Sequence, residues 1–249
     1  MTRATTYLLI DISNSFTKLA LASRKRIARP GRIATNKLTA AYLRGFIKRR
    51  KIDMLVVCSV VPKKNREVKS AARTTKILWL GPHLKLGVGI QYPRPKTIGA
   101  DRLANAAAVA ALYGAPAIVV DFGTAVTFDI VSAEKKYIGG VIAPGLEAMT
   151  NFLYQRTALL PKLALREPRS AIGRSTIEAM MAGAVFGYRG LVKEVIARIK
   201  AEAFPRSRRV RIVGTGGYAD LIAAELPEIE AIHPHLTLEG LRIVANINS

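Results

Sequence analysis

The sequence predicts a mixed α/β fold made of two similar halves, and three observations support this expectation. The chain of 249 residues is half hydrophobic, so it can bury a sizeable core and is long enough for two domains of about 120 residues each. Apolar runs typical of buried strands alternate with segments of helical spacing, as in a sheet covered by helices. The segments 8–17 and 118–127 also match, because in each an apolar run ends in an aspartate, Asp11 or Asp121, that a threonine follows six positions later. We therefore expect each half to open with a strand that delivers a carboxylate to its turn.

The first half is predicted to alternate between strands and helices. Residues 6–12 and 17–23 form a strand pair around the first turn, 38–50 has helical spacing, 54–61 is an apolar strand, 65–73 a short helix and 76–80 another strand. A Gly- and Pro-rich stretch, 81–95, precedes a long alanine-rich helix over 97–113. Gly114-Ala115-Pro116 breaks that helix, so we expect domains 1–115 and 116–249.

The second half repeats this plan. Strands are expected at 117–120, 127–131 and 137–142, followed by helices, a strand at 210–214 and a closing helix at 237–247. Ser175 and Glu178 have the spacing of a capping box, which predicts a helix running to about Ala203. Glycines 183, 187 and 190 along this helix are interpreted as sites of close helix packing. A glycine-rich turn, 214–217, precedes a predicted helix at 218–226 and would let the backbone approach an adenosine or a phosphate.

The net charge of +22 is the compositional oddity of the chain. Lysine and arginine come in short bursts at 24–32, 48–51, 63–64 and 206–211, and such clusters can neutralise nucleic-acid phosphates. No zinc spacing or aromatic RNA-binding strand pair accompanies them, and aromatic residues make up only 6% of the chain. We interpret the charge as a solvated basic surface that attracts small anionic substrates. An acidic or nucleic-acid partner is the less favoured alternative.

Two further features concern the location of the protein. No apolar run reaches the roughly 18 residues that a membrane helix needs, and residues 1–3 lead into the first strand without a signal-like segment. We therefore expect a cytoplasmic protein without a membrane partner. The single Cys58 lies in an apolar strand and is expected to be an inert, buried thiol.

The turn after the first strand contains the parts of a phosphate site. Between Asp11 and Lys18 it combines a carboxylate, small residues, hydroxyl groups and a lysine, which suit a nucleoside triphosphate with magnesium. The pattern is not a Walker loop. Taken alone, Asp11 could equally cap a turn, but its echo at Asp121 favours a binding function.

Asp101 and Arg102 fall in the first turn of the alanine-rich helix. The simpler interpretation is an aspartate that stabilises its own helix, with the arginine in solvent. The functional interpretation is a general base. The helix terminus and Arg102 lower the pKa of such a carboxyl, so only burial or a nearby carboxylate, Asp121 or Asp11, would raise it. In phosphoryl transfer this matters less, because the base mainly orients the attacking hydroxyl.

In this order, the motifs resemble those of the type III pantothenate kinases, members of the acetate kinase, sugar kinase, Hsp70 and actin superfamily. The resemblance covers nearly the whole chain and rests on the segments 11–18, 95–102, 120–125, 139–145, 157–161, 215–217 and 236–241. It implies two similar ribonuclease H-like domains of mixed sheet plus helices, the actin-like ATPase duplication, with an interdomain cleft. It also implies that Asp11, Asp101 and Asp121 converge there.

The activity implied by the resemblance is the ATP-dependent phosphorylation of pantothenate to 4′-phosphopantothenate, the first step of coenzyme A synthesis. Asp101 would be the catalytic base, Asp121 would bind K⁺ or NH4⁺, and the protein would be a homodimer in which Thr176 acts on the neighbour's substrate. Asp11 would also lie near Mg²⁺. The ATP-binding residues implied are Asp11, Ile12, Ser13, Asn14, Ser15, Phe16, Thr17, Lys18 and Thr124. The pantothenate-binding residues implied are Tyr92, Gly99, Ala100, Asp101, Arg102 and Thr176.

The first motif departs from the family pattern, because Ser13 replaces a glycine and Ser15 a threonine. If position 13 needs a positive φ or a close phosphate approach, serine costs about 1 kcal/mol and weakens ATP binding. Two other functions stay open. One is a non-catalytic regulatory or nucleic-acid-binding relative; the other is an acylate or sugar kinase of the same superfamily, which the segment 99–102 argues against.

Overall fold

The computed structural model describes residues 5–48, 50–207 and 209–249. Arg49 and Arg208 of the basic bursts, and residues 1–3 at the start of the sequence, lie outside the described residues. Contacts divide the chain into two compact units. The first comprises Met1–Tyr113, Lys135–Tyr137 and His235–Ser249, and the second Gly114–Glu134 and Ile138–Pro234. The predicted domains 1–115 and 116–249 stay a prediction: the units share the break near residue 114, but the last fifteen residues belong to the first unit.

The described residues form strands and helices in alternation, as predicted. The strands are β1 (Tyr7–Ile12), β2 (Phe16–Ala22), β3 (Gly31–Ala34), β4 (Met54–Ser59), β5 (Lys76–Trp79), β6 (Gly89–Ile90), β7 (Ala117–Phe122), β8 (Ala125–Val131), β9 (Lys136–Pro144), β10 (Arg211–Thr215) and β11 (Ala231–Ile232). The α-helices are α1 (Ala40–Lys48), α2 (Pro62–Ala72), α3 (Ala100–Leu112), α4 (Leu146–Arg156), α5 (Thr176–Ala203), α6 (Ala219–Ala223) and α7 (Leu236–Ile247). Within the described residues, no helix is both long and apolar enough to cross a bilayer.

The first unit contains a mixed sheet in the order β3-β2-β1-β4-β5. β1 pairs antiparallel with β2 and parallel with β4, so it lies in the middle of the sheet, and all six of its residues are buried. Leu8 and Ile10 pack with α1 and α2 on one face through partners such as Leu43 and Val68. Cys58 of β4 is fully buried and forms no disulfide, as expected.

Helices α3 and α7 cover the opposite face of this sheet. Successive strand residues point to opposite faces, and the Tyr7 hydroxyl donates to Asn246 of α7, 3.1 Å away. We had placed the closing helix in the second half of the chain, but the structure packs it against α3 of the first unit. The contact is close because Gly240 has no side chain: a Cβ atom there would lie 2.6 Å from the carbonyl carbon of Ala104.

The second unit repeats the plan of the first. Its strands follow the order β11-β10-β7-β8-β9, with β7 antiparallel to β8 and parallel to β10. Helices α4, α5 and α6 pack on this sheet around an apolar core that includes Phe122 and Val185. The predicted helix start is confirmed, because the Ser175 hydroxyl accepts a hydrogen bond from the Glu178 N–H at 3.3 Å. The Glu178 carboxylate accepts from the Arg174 N–H at 2.8 Å, one residue before the position that a capping box uses. Lys136 and Tyr137, the first residues of β9, pair with β6 and group with the first unit.

Candidate functional site

The turn between β1 and β2 holds Asp11 in a buried position. Its carboxylate is only 3% exposed and accepts a hydrogen bond from the Ser13 hydroxyl at 3.2 Å. Asp11 lies opposite Lys18 of β2, and by strand alternation it points to the same sheet face as Tyr7, the face that α3 and α7 cover. The structure thus turns Asp11 toward the helix that carries Asp101.

Thr35 fixes the shape of this turn. Its hydroxyl donates to the Ser13 carbonyl at 2.7 Å, its N–H donates to the Ser15 carbonyl at 3.0 Å, and it contacts the Thr17 hydroxyl at 3.0 Å. Asn14, Ser15 and Phe16 are exposed at the tip of the turn. A preformed, exposed turn with hydroxyl and amide groups at its tip can receive an anion without reorganising.

Ser13 does not have a positive φ, since among the described residues other than glycine only Arg73 and Lys135 do. The first of the two conditions under which serine would be costly, a positive φ at position 13, is therefore not met. Serine occupies this position without backbone strain, and its hydroxyl orients the Asp11 carboxylate.

Asp101 lies in the first turn of α3, as predicted. Its carboxylate accepts a hydrogen bond from the Arg102 N–H at 2.9 Å. Burial raises the pKa of Asp101, and this effect outweighs the opposing influence of that hydrogen bond and of the Arg102 charge. Gly99 leaves room for the carboxylate, because a Cβ atom there would come within 2.5 Å of the Asp101 Oδ1 atom. The structure therefore gives Asp101 a proton affinity above that of an ordinary aspartate.

Tyr137 connects two residues of the expected pantothenate site. The Arg102 guanidinium lies 5.7 Å from the centroid of the Tyr137 ring, and Tyr92 packs edge-to-face on the same ring at 6.1 Å. Tyr137 itself is fully buried. Sequence reasoning missed this residue, because an aromatic side chain at the start of a strand carries no signal beyond core packing. The structure brings Tyr92, Tyr137 and Arg102 together in the first unit.

In the second unit, three segments meet at Asp121. Gly216 has φ +95° and lies directly against this carboxylate, since a Cβ atom there would be 2.6 Å from the Asp121 Oδ1 atom. Gly145 packs equally closely on the neighbouring turn, where its N–H donates to the Thr124 carbonyl at 3.2 Å. The motifs 120–125, 139–145 and 215–217 therefore form one cluster of backbone and carboxylate oxygens. Thr124 is exposed at its edge.

The other predicted site residues are divided between the two units. Thr176 is the first residue of α5 and is exposed. Across the residues that the structure covers, no three His, Cys, Asp or Glu side chains are grouped so as to hold a metal. Asp121, Thr124 and Thr176 belong to the second unit and the other site residues to the first. The convergence of Asp11, Asp101 and Asp121 stays a prediction.

Comparisons with known proteins agree with these motifs. The family model for type III pantothenate kinase matches residues 7–198. A type III pantothenate kinase from Akkermansia muciniphila is 48% identical over 98% of this chain and 99% of its own. Another from Methylacidiphilum infernorum is 41% identical over 96% of this chain and 88% of its own.

A solved structure supports the fold assignment. The activator of the 2-hydroxyisocaproyl-CoA dehydratase from Clostridium difficile, with bound ADPNP, has a TM-score of 0.53 at 13% identity, covering 98% of this chain and 94% of its own. The mixed α/β units with their repeated strand plan are thus those of the actin-like ATPases and sugar kinases. With the family match spanning most of its length, the chain belongs to the type III pantothenate kinase family.

Proposed function

We infer that the chain is an enzyme that transfers a phosphoryl group from ATP to pantothenate and so makes 4′-phosphopantothenate, the first step of coenzyme A synthesis. The observation that carries this conclusion is the full-length similarity to type III pantothenate kinases. Family membership disfavours the acylate kinase, sugar kinase and non-catalytic alternatives. The roles of individual residues below are proposals that the geometry of each unit supports.

Asp101 is proposed as the base that accepts the proton of the primary hydroxyl as this hydroxyl attacks the γ-phosphate. Its raised pKa makes it a better proton acceptor, and Gly99 keeps one side of the carboxylate open. A carboxylate held in the first turn of a helix can also fix the orientation of the attacking hydroxyl. This is the main role of the base when the transition state of phosphoryl transfer is loose.

The turn 11–18 is proposed to hold the ATP phosphates. Its exposed tip offers backbone N–H groups and the side chains of Asn14 and Ser15, while Lys18 supplies a cation. Mg²⁺ fits beside Asp11, since this ion commonly combines one or two carboxylates with substrate phosphates and water rather than a cage of protein ligands. Bound there with ATP, it would neutralise charge on the phosphates. The Ser13 hydroxyl keeps the Asp11 carboxylate oriented for this contact.

Asp121 is proposed as the site of a monovalent cation, K⁺ or NH4⁺, with Thr124 contacting ATP nearby. The site fits such an ion because it combines a carboxylate with the backbone oxygens of tight glycine turns. Any side chain at Gly216 would displace Asp121, so the glycine preserves the space around the carboxylate.

The pantothenate site is proposed to include Tyr92, Gly99, Ala100 and Arg102. The guanidinium of Arg102 suits the carboxylate of pantothenate, and the Tyr137 ring packs against this guanidinium. Thr176, which lies in the other unit, is proposed to complete the pocket of the neighbouring subunit.

A homodimer is proposed from the surface of the second unit. Helices α4 and α5 expose large apolar side chains that a monomer rarely leaves in water: Met149, Phe152, Leu153, Tyr154, Ile177 and Phe186. Glycines 183, 187 and 190 of α5, which we interpreted as packing sites, have no neighbouring atom within 4 Å of a Cβ position. Among the described residues they therefore have no packing partner, and a second copy would give them one. We place this dimer in the cytoplasm, where ATP is available.

The kinase proposal is tested by a coupled ADP-release assay with pantothenate, Mg²⁺ and K⁺. The native chain is expected to turn over, and Asp101→Asn to lose most of the rate constant with the KM for ATP unchanged. Asp121→Asn is expected to lose activation by K⁺. A native chain that releases no ADP with pantothenate, but does so with acetate or a hexose, would refute the substrate assignment.

The dimer is tested by light scattering on the Phe152→Glu, Phe186→Glu double variant. A monomer of native circular dichroism is the expected result, against a dimer for the native chain. The control Leu112→Glu changes an apolar side chain of similar exposure on the first unit and is expected to stay dimeric. A native chain that is monomeric at micromolar concentration refutes the dimer.

A further inference from the structure

The segment 37–76 contains an excess of positive charge that the kinase chemistry does not use. It holds twelve lysine and arginine residues and two acids, Asp53 and Glu67. Both acids are occupied by the backbone: Asp53 accepts from the Thr6 N–H at 2.8 Å and Glu67 from the Ala40 N–H at 2.9 Å. Glu67 also pairs with the Arg66 guanidinium at 3.2 Å. Because twelve cations outnumber two acids, most of the cations have no carboxylate partner within the segment.

Helices α1 and α2 gather these cations on one layer of the first unit. The helices pack side by side, and the Arg44 guanidinium of α1 reaches the Ser70 hydroxyl of α2 at 3.4 Å. Lys48, Lys63 and Lys69 are exposed, and within the described part of the chain they make no ion pair. By contrast, the exposed cations Lys193 and Arg198 of α5 lie 3.9 Å and 2.7 Å from glutamates. We call the exposed surface of α1 and α2 the basic face.

The basic face also carries an open depression of about 720 Å³, lined by Tyr42, Gly45, Phe46, Lys48 and Arg50. Tyr42, Gly45 and Phe46 occupy positions i, i+3 and i+4 of α1, so they share one side of the helix. Gly45 has no side chain and no neighbour within 4 Å of its Cβ position, so the exposed Tyr42 ring is accessible beside it, whereas Phe46 is partly buried against the core of the first unit. Arg50 stacks on the Phe46 ring at 4.1 Å. The depression thus combines flat aromatic surface with two cations.

We propose that the basic face binds a single-stranded nucleic acid, with a base stacked on Tyr42 and the phosphates on Arg50 and the cations of α1 and α2. Stacking platforms beside tracks of positive charge are how proteins bind single strands without reading their sequence. A lipid surface fits less well, because Tyr42 is the only large apolar side chain exposed by the described residues of 37–76. An acidic peptide would pair with the cations, but it would provide no planar base to stack on the exposed Tyr42 ring. This revises our first interpretation of the charge as substrate attraction alone, and it is independent of the kinase activity.

The test is fluorescence anisotropy of a labelled 20-nucleotide oligo-dT with the full chain at several salt concentrations. Lys48→Ala with Arg50→Ala removes two cations of the basic face, and Lys193→Ala with Arg198→Ala removes the same two residue types from α5. The first pair is expected to weaken binding roughly tenfold or more and to reduce the slope of log K against log salt by about 1.4, since each phosphate contact contributes about 0.7. The α5 pair is expected to leave both unchanged. Equal losses in the two double variants overturn the proposal, because they indicate an unspecific response to net charge.

Tyr42→Ala separates stacking from charge. It is expected to weaken binding of oligo-dT roughly tenfold while leaving the salt slope unchanged, because base stacking carries no counterion release. Pantothenate-dependent ADP release should stay native in all these variants, which verifies the fold. A matched DNA duplex bound as tightly as the single strand overturns the proposal, as does sedimentation of the protein with phosphatidylglycerol vesicles in the absence of oligo-dT binding.

Discussion

Replacing Gly240 by alanine tests how tightly α7 is seated on the helix that carries Asp101. A Cβ atom at this position would overlap the carbonyl oxygen of Ala104 and lie 2.6 Å from its carbonyl carbon. Both obstacles are backbone atoms of α3, so no side-chain rotation relieves them. The two helices must separate instead, and the buried hydrogen bond that Thr237 donates to Asn105 at 2.9 Å lies one turn away.

The expected loss of stability follows from three opposing contributions. Overpacking against a fixed backbone costs about 3 kcal/mol. Alanine gains about 1 kcal/mol over glycine in a helix interior. Weakening the Thr237–Asn105 hydrogen bond costs about 1 kcal/mol more. We therefore expect Gly240→Ala to lower the free energy of unfolding by about 3 kcal/mol, measured by denaturant titration.

Gly45→Ala is the matched control, because Gly45 is also a helical glycine of the first unit but has no atom within 4 Å of its Cβ position. It should be stabilised by about 0.5–1 kcal/mol. Because α3 carries Asp101, Gly240→Ala should also reduce kcat for pantothenate more than it changes the KM for ATP. Equal stability of Gly240→Ala and Gly45→Ala would show that the contact between α7 and α3 is loose and that the reasoning is wrong.

Three further substitutions give separate tests of the site. Asp101→Asn should be more stable than the native chain at pH 7. Burial raises the pKa of Asp101 above 3.8, so the native chain loses stability as the pH rises through the raised pKa and the carboxyl ionises. Below about pH 3 the carboxyl is protonated in both the folded and the unfolded state, and the difference between the two denaturation midpoints should vanish. Arg102→Lys should raise the KM for pantothenate roughly tenfold to a hundredfold and leave that for ATP unchanged, since lysine lacks the planar fork that pairs with a carboxylate; an unchanged KM for pantothenate in steady-state kinetics would remove Arg102 from the site. Ser13→Gly should raise the KM for ATP roughly fivefold, because the Asp11 carboxylate loses the hydroxyl that orients it. It should also lower stability by about 1 kcal/mol, because the φ of residue 13 does not call for glycine. Tighter ATP binding in that variant would restore the concern about this turn.

The strands and the two aspartate turns could be predicted because their signals are local. An apolar run that ends in an aspartate specifies a buried strand and places the carboxylate at its end, and both Asp11 and Asp121 are found there. The duplication was visible for the same reason: β1 and β7 each pair antiparallel with the next strand and parallel with a later one. The N-cap at Ser175 was likewise within reach of local reasoning, whereas the burial that raises the pKa of Asp101 was one of two possibilities that the sequence left open.

Tertiary partners could not be predicted, because amphipathic spacing says that a helix packs but not against what. The closing helix α7 has a buried face that any sheet could have covered, and only Gly240 hints at a close approach. Tyr137 lies 45 residues from Tyr92 in the chain, and nothing in either segment indicates their contact. The glycines of α5 are the opposite case. Small residues in a helix indicate close packing, but no atom of the described residues lies within 4 Å of their Cβ positions.

The position of α7 explains why the segment 236–241 is one of the motifs on which the resemblance rests. None of its residues was expected to take part in the chemistry, yet α7 contacts the helix that carries Asp101 and the strand that ends in Asp11. It packs on α3 through Gly240 and Thr237, and it bonds to β1 through the Tyr7 hydroxyl.

The same helix also reaches the Gly- and Pro-rich stretch that leads to Tyr92. The side chain of Asn248, just after α7, donates to the Lys85 carbonyl at 2.8 Å and accepts from the Lys85 N–H at 3.2 Å. Asp11 and Asp101 lie on separate elements that both pack against α7, and the stretch leading to Tyr92 is held at Lys85 by the residue after this helix. A helix that bears no reacting group thereby sets the relative positions of groups that do, and a sub-ångström shift of α7 should change turnover before it unfolds the protein.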